Sequence, residues 1–141
     1  VKFEDSEWYG RYQLKPYSVW DCALEFSNGM HDPLCMFEVM SFQIKKTLPI
    51  GRGGMILTDD LNAYKWLKKS VYDGRDLETR YDEDEFSHLG WHYYMTPEDA
   101  ARGLLLFEDV NRENNPCIEN PYKHYTDLSK RKVFKSHLGE V

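Results

Sequence analysis

The sequence has no dense basic tract and no long apolar run. Its 141 residues carry a formal net charge of −6, whereas proteins that bind nucleic acid present clustered lysine and arginine. Its longest apolar runs also fall far below the roughly 20 residues that cross a bilayer. We therefore expect neither nucleic acid nor a membrane to be a partner.

Cysteines and metal-ligand patterns are scarce as well. The three cysteines are an odd number with no Cys-x-x-Cys pair, which predicts reduced thiols in a cytoplasmic protein. His88 and His92 are four residues apart, but no acidic partner completes a known motif, so no metal site is expected. His31 lies in a loop between strands and is predicted to be a surface histidine.

The beginning of the chain lacks the apolar segment of a signal peptide. Its first residue is Val1, and the missing initiator methionine suggests a processed, trimmed or fragmentary chain. With 41% hydrophobic and 15% aromatic residues, the chain can form one core and is short for two. We expect one soluble domain or part of one, preceded by an irregular or short helical lead-in over residues 1–16.

The most informative stretch is residues 40–59, MSFQIKKTLPIGRGGMILTD. Short apolar runs at 36–42 and 55–58 predict buried strands on either side of a turn rich in lysine and glycine. A lysine just beyond a strand end can be partly desolvated, which favours the neutral amine that forms a Schiff base with a carbonyl. Ser41, in the same stretch, has a hydroxyl that can hydrogen-bond a phosphate.

A second strand-like run, residues 17–20, ends at Asp21. An acid at the carboxyl end of a strand is a common place for a functional group in an α/β sheet. On these residues alone, Asp21 could equally be an exposed or capping aspartate, because most acids are solvated.

Two helices are predicted by their start signals. Asp59-Asp60 provides an N-cap for a helix over about 61–72, with Leu61, Tyr64, Leu67 and Val71 near one face. Thr96, Pro97 and Asp99 provide an N-cap, a first-turn proline and a capping-box acid for a second helix. In that helix an apolar face is predicted at Ala100, Ala101, Leu104 and Phe107, and small residues including Gly103 permit close approach of another backbone.

The order of residues in the central stretch resembles the DegT/DnrJ/EryC1/StrS family of pyridoxal-phosphate sugar aminotransferases. The family pattern is Ser-Phe-His, two residues, Lys, a short gap, Gly-(Glu)-Gly-Gly, an apolar strand and Thr-Asn/Asp-Asp. Here the pattern begins at Ser41 and continues through Gly51, with Gln43 in place of the histidine. The resemblance implies pyridoxal 5′-phosphate as the cofactor and Lys46 as its lysine, with the neighbouring Lys45 as the alternative.

Further site residues follow from the same resemblance. The strand ending in Asp21-Cys-Ala is similar to the family's Asp-Ala-Ala segment, whose aspartate pairs with the protonated pyridine nitrogen and so maintains the ring as an electron sink. Ser41 would bind the cofactor phosphate. In the stretch 90–107, His92 and Tyr94 occupy the positions of a polar pair that reaches the phosphate of the neighbouring subunit. The alternative for Trp91, Tyr93 and Tyr94 is an aromatic packing cluster.

The resemblance covers roughly residues 17–112, and complete family members are more than twice as long. It implies an α/β fold, a partial type I PLP-transferase (aspartate aminotransferase-like) large domain with a mixed, mostly parallel sheet flanked by helices. The expected division is this partial domain at 1–112 and a polar tail at 113–141.

The function that the resemblance implies is transfer of an amino group from a donor such as glutamate to a nucleotide-linked keto-sugar, through a Lys46 internal aldimine. A homodimer or a partner chain would complete the site. One alternative is a truncated, non-catalytic homologue that acts as an interaction or scaffold protein. Another is a carrier or sensor of pyridoxal phosphate that has no sugar substrate.

Overall fold

The computed structural model describes residues 10–110 and 126–135. Four strands are followed by two helices and, in the tail, by a short helical pair. The elements are β1 Tyr12–Gln13, β2 Val19–Asp21, β3 Phe37–Ser41, β4 Gly54–Leu57, α1 Leu61–Val71, α2 Pro97–Glu108, a 3-10 turn Leu128–Lys130 and α3 Lys132–Lys135. No helix among the described residues is long and apolar enough to cross a membrane.

The four strands form one mixed sheet in the order β1-β2-β3-β4. Strands β2 and β3 are parallel, whereas β1 pairs with β2 and β4 with β3 in antiparallel fashion. The α/β class is therefore as expected, but the sheet of the described residues has one parallel pair among three rather than a mostly parallel arrangement.

Three of the strands lie close to where their apolar runs predicted them. The exception is β1, which falls inside the stretch expected to be an irregular or short helical lead-in. Its residues Tyr12 and Gln13 face Asp21 and Trp20 across the sheet. This strand forms because of partners on β2, and a short polar segment gives no local signal for such pairing.

Side chains of β3 alternate between two different environments, as the pleat of a strand requires. Glu38 and Met40 are buried on one face, while Phe37, Val39 and Ser41 are half-buried on the other. The buried face continues into the core. Its centre is Phe42, Leu48 and Ile50, against which Phe26, Met95, Leu106 and Val110 pack.

Both helices begin at the predicted caps. The Asp60 carboxylate accepts hydrogen bonds from the amides of Asn62 and Ala63, and the Thr96 hydroxyl accepts one from the Asp99 amide at 3.3 Å. Each cap satisfies amides that the first helical turn would otherwise leave without a partner.

The predicted helix faces are only partly correct. In α2 the stripe that packs inward is Gly103, Leu106 and the following Val110, while Leu104 is 71% exposed. Gly103 lies so close to Ile50 that an added Cβ would come within 2.6 Å of its side chain. The close approach predicted at Gly103 is thus to a core side chain, and that contact decides which face of α2 is buried.

The end of α1 is joined to a segment twenty residues later in the chain. The Trp91 amide donates to the Ser70 carbonyl and the Tyr93 amide to the Val71 carbonyl, at 2.7 and 3.0 Å. In the turn that follows α1, Gly74 has a φ of +81° and lies directly against the His88 carbonyl. An added Cβ at Gly74 would collide with that carbonyl oxygen. A glycine is required at this crossing for its φ and for the lack of a side chain.

Replacing this glycine should therefore destabilise the fold, and a second glycine provides the control. Gly29 has a φ of +71° but nothing within 4 Å of an added Cβ, so Gly29→Ala introduces only backbone strain. We expect Gly74→Ala to lower the free energy of unfolding by about 2 kcal/mol more than Gly29→Ala, because it adds overpacking. Urea unfolding measures both variants, and equal losses would contradict the close crossing at Gly74.

Candidate active site

Two of the expected site residues lie together at one edge of the sheet. Asp21 ends β2 and Ser41 ends β3, and because these strands are parallel their carboxyl ends meet at the same edge. Asp21 is level with Val39, two residues before Ser41. Since side chains alternate along a strand, Asp21, Val39 and Ser41 point to the same, half-exposed face.

The carboxylate of Asp21 is fixed by two donors within the chain. The Tyr12 hydroxyl donates to Oδ2 at 2.6 Å, and the Ala23 amide donates to Oδ1 at 2.9 Å. A carboxylate offers about four lone-pair sites, so each oxygen can still accept another hydrogen bond. Asp21 is half-buried and accepts two hydrogen bonds, so it is not an exposed aspartate, but the bond from the Ala23 amide two residues later is of the capping kind.

Lys46 lies in a tight turn that follows Ser41. Its amide donates to the Gln43 carbonyl at 2.8 Å, the Lys45 amide donates to Gln43 Oε1 at 2.7 Å, and the Gln43 amide donates to Ser41 Oγ at 3.3 Å. Gln43 therefore organises the turn through its own backbone and side chain. The two lysines differ in burial, since Lys46 is half-buried and Lys45 is exposed.

The glycine turn closes the loop that carries these lysines. The Phe42 amide donates to the Gly53 carbonyl and the Gly51 amide donates to the Phe42 carbonyl, both at 2.9 Å. Arg52 between them forms an ion pair with Asp99 in the first turn of α2, with Nε 2.7 Å from Oδ2. Hydrogen bonding to Arg52 lowers the pKa of the Asp99 carboxyl. The loop is thereby joined to α2.

His92 and Tyr94 lie on an exposed surface beside the end of α1. His92 Nδ1 is 3.1 Å from Asp73 Oδ2, and the Tyr94 ring stacks on Tyr72 with centroids 4.7 Å apart. Within the described ranges, no hydrogen bond, ion pair or ring contact joins either residue to Asp21, Ser41 or Lys46.

The aromatic residues around His92 pack against one another in pairs at the surface, as the alternative of an aromatic packing cluster expects. Trp91 and Tyr93 are nearly parallel, 6.2 Å apart, and both are exposed. They lie on alternate positions of an extended segment, so their rings share one side and those of His92 and Tyr94 share the other. The ring contacts of these four residues therefore lie at the surface of the domain.

A buried charge network on the opposite face of β3 was not anticipated. Glu38 is fully buried and accepts hydrogen bonds from Arg11 at 3.3 Å and from the His31 ring, whose Nδ1 lies 2.6 Å away. His31 Nε2 lies 3.1 Å from Asp59. The only sequence signal for this network was an acid in the middle of a run that otherwise predicted a buried strand.

His31 is exposed, as expected for a surface histidine, but it also bridges two carboxylates. Its hydrogen bonds to Glu38 and Asp59 raise its pKa. Burial raises the pKa of the Glu25 carboxyl, which lies 3.6 Å from Arg11.

Two cysteines are free thiols in the structure. Burial is the main cause that raises the pKa of Cys22 to about 12 and that of Cys35 to about 11. Because the thiolate is the reactive form, neither thiol is suited to nucleophilic chemistry at neutral pH. Cys117 lies outside the described residues.

The described residues thus form a mixed α/β domain with polar groups gathered at the carboxyl edge of its parallel strands. Comparison with sequence models of protein families matches residues 30–132 to the DegT/DnrJ/EryC1/StrS aminotransferase family, and the chain belongs to this family. The matched stretch contains Ser41, Lys46, His92 and Tyr94 and begins after Asp21. Comparison with curated proteins and with solved structures gave no match.

Membership indicates an aminotransferase and, as is general in this family, pyridoxal 5′-phosphate as cofactor. The residues present at the sheet edge fit such a group. A carboxylate with remaining lone pairs suits a ring N–H, a hydroxyl suits a phosphate, and a lysine amine suits a carbonyl.

The His31 contacts predict a pH dependence of stability. Because the folded pKa of His31 is raised above its ordinary 6.5, its contribution is fully present below pH 6.5 and is lost as the pH rises through the folded pKa. Glu38 and Asp59 face the ring from β3 and from the turn before α1, and Arg11 shares Glu38 with it. We expect the free energy of unfolding to fall over this range.

Urea unfolding from pH 5 to 9 tests this expectation with His31→Asn as the comparison. The difference between the two proteins should shrink as the pH rises. Burial also raises the pKa of the Glu25 carboxyl above its ordinary 4.5. Glu25 is present in both proteins, so its own contribution to the pH dependence of stability cancels in the difference. A difference independent of pH would show that His31 is not protonated in the folded chain.

Proposed function

We propose that this chain provides the lysine-bearing half of a pyridoxal-phosphate aminotransferase site. The reaction is transfer of an amino group from a donor such as glutamate to a nucleotide-linked keto-sugar. Residues 1–112 would be part of a type I PLP-transferase large domain and 113–141 a polar tail.

The observation that carries this proposal is the shared edge and face of Asp21 and Ser41, followed directly by the Lys46 turn. Parallel pairing of β2 and β3 gives the acid and the hydroxyl a fixed spacing. The hydrogen bonds from the Lys45 and Lys46 amides to Gln43 then form the turn that contains Lys46. Ligands in open α/β sheets bind outside the carboxyl ends of the strands, which is the edge where these groups lie.

Each of the three residues has a role that suits its chemistry. The bound cofactor supplies an electron sink for the reacting carbon. Lys46 would hold it through a covalent bond to the amine, and once released would move the proton at the substrate carbon. Asp21 would accept a hydrogen bond from the ring nitrogen and maintain its proton, and Ser41 Oγ would donate to the phosphate.

The exposed surfaces support a second chain as partner, either another copy in a homodimer or a separate protein. The described residues leave many large apolar side chains more than half exposed, among them Leu34, Leu61, Trp66, Leu104, Leu105 and Phe107. Leu104, Leu105 and Phe107 belong to one helix, α2, and apolar side chains exposed together on one element are a feature of interfaces. His92 and Tyr94 are exposed, and no described contact joins them to Lys46 of the same chain. In a homodimer they would bind the cofactor phosphate in the site of the neighbouring subunit.

A non-catalytic homologue, acting as an interaction or scaffold protein, is the second candidate. It is favoured by how the chain uses the side chains of the polar pair, His92 and Tyr94, and of the glycine turn. His92 is bonded to Asp73, Tyr94 is stacked on Tyr72, and Arg52 is paired with Asp99. Each of these side chains already has a partner within the chain, and in a non-catalytic homologue its contribution would be to the fold alone.

Cofactor attachment distinguishes the two candidates. We expect purified chain mixed with pyridoxal 5′-phosphate to develop the absorbance of a lysine adduct, and borohydride reduction followed by peptide mapping to locate it at Lys46. Lys46→Ala should abolish the adduct. Lys45→Ala, a matched change one residue away, should leave it unchanged, because of these two neighbours Lys46 is the half-buried one and Lys45 is exposed.

The same experiment contains its contrary outcomes. An adduct at Lys45, or labelling spread over the surface lysines, would overturn the assignment of Lys46. No adduct in a chain shown by its unfolding curve to be folded would favour the non-catalytic homologue. If Lys46 is labelled, loss of the absorbance on adding glutamate, and its return with a nucleotide-linked keto-sugar, would support the full reaction.

A further inference from the structure

Tyr12 is directly opposite Asp21 across the sheet. The two residues are register partners on β1 and β2, so their side chains lie on the same face. The hydroxyl of Tyr12 reaches the Asp21 carboxylate at 2.6 Å. This residue lies before the stretch that resembles the family and before the stretch that matches it.

The hydrogen bond from Tyr12 completes the fixation of the Asp21 carboxylate. The Ala23 amide holds Oδ1 from the chain that follows the strand, and the tyrosine holds Oδ2 from the neighbouring strand. With one donor on each oxygen, the plane of the carboxylate is set and rotation about its terminal torsion, otherwise broad, is restricted. The remaining lone pairs then point in defined directions.

We propose that Tyr12 is a positioning residue of the cofactor site, which orients Asp21 toward the ring nitrogen of pyridoxal phosphate. This inference rests on the proposed function. The hydroxyl does not contact the reacting atoms and acts through the carboxylate. A preoriented acceptor binds without losing torsional freedom at the moment of binding, and this lowers the cost of the ring-nitrogen hydrogen bond.

The anchoring of β1 explains how so short a strand can perform this role. Arg11, the residue before Tyr12, is bonded to the buried Glu38 and lies over the Trp20 ring with its guanidinium carbon 5.1 Å from the centroid. The Leu14 amide after the strand donates to the Val19 carbonyl at 2.8 Å. The backbone of Tyr12 is therefore anchored on both sides.

The test uses the full chain and Tyr12→Phe, which removes the hydroxyl and retains the ring. The probe is pyridoxal 5′-phosphate labelled with ¹⁵N in its ring. We expect the dissociation constant to rise about 3- to 10-fold, as for loss of one hydrogen bond, and the ¹⁵N resonance to shift toward that of an unprotonated ring. Tyr17→Phe is the matched control, since Tyr17 is mostly exposed and should leave both values unchanged.

Asp21→Asn identifies the route of the effect. We expect the double variant Tyr12→Phe/Asp21→Asn to bind no more weakly than Asp21→Asn alone, because Tyr12 acts only through the carboxylate. Urea unfolding without cofactor measures the structural part of each change separately. A Tyr12→Phe variant that loses stability but keeps the wild-type ¹⁵N resonance and affinity would overturn the positioning role.

The outcomes separate this inference from the proposed function. If wild type forms the Lys46 adduct and Tyr12→Phe matches it in affinity and resonance, the role of Tyr12 is refuted and the function stands. If wild type forms no adduct, the proposed function fails, and the positioning role fails with it. Additive losses in the double variant would also refute the route through Asp21.

Discussion

The described part of the chain depends on one buried carboxylate in the middle of the central strand. Burying Glu38 costs several kcal/mol unless the charge is paired and its lone pairs are used. Here Arg11 and His31 approach it from two segments, and the Asp32 amide adds a weak contact at 3.3 Å. Through His31 the network extends to Asp59 before α1. Segments distant in the chain are thus held to β3 by charge, in a domain whose buried apolar core is small.

The same strand carries two kinds of residue on its two faces. Glu38 and Met40 point into the packed side, and Val39 and Ser41 point to the half-exposed side with Asp21. Because Arg11 and Tyr12 are adjacent on an extended segment, the first reaches Glu38 while the second reaches Asp21. Pairing of charge on one face therefore fixes β1, and β1 in turn holds the carboxylate on the other face. The structural network and the proposed site are coupled through two neighbouring residues.

Local signals in the sequence were sufficient for elements whose causes are local. The caps at Asp60 and Thr96 predicted where the helices begin, since a cap acts on amides two or three residues away. The apolar runs predicted β3 and β4 for a similar reason. Burial was less predictable, because the face of α2 that packs inward is decided by Ile50, about fifty residues earlier. Likewise β1 and the partners of Glu38 arise from pairing between distant segments, which periodicity does not encode. For the site, the order of residues around Lys46 indicated the family, whereas Tyr12 gave no comparable signal.

The half-exposed face also bears on what the chain needs in order to act. Asp21 and Ser41 lie at the edge of a face where Phe37, Val39 and Ile56 retain solvent contact. Hydrogen bonds and ion pairs at a site gain strength when water is excluded, and apolar surface left in water forgoes about 25 cal/mol per Å² of stabilisation. A second chain covering this face would bring both gains at once. Stability and proposed catalysis would then have the same requirement, a partner that seals the carboxyl edge of β2 and β3.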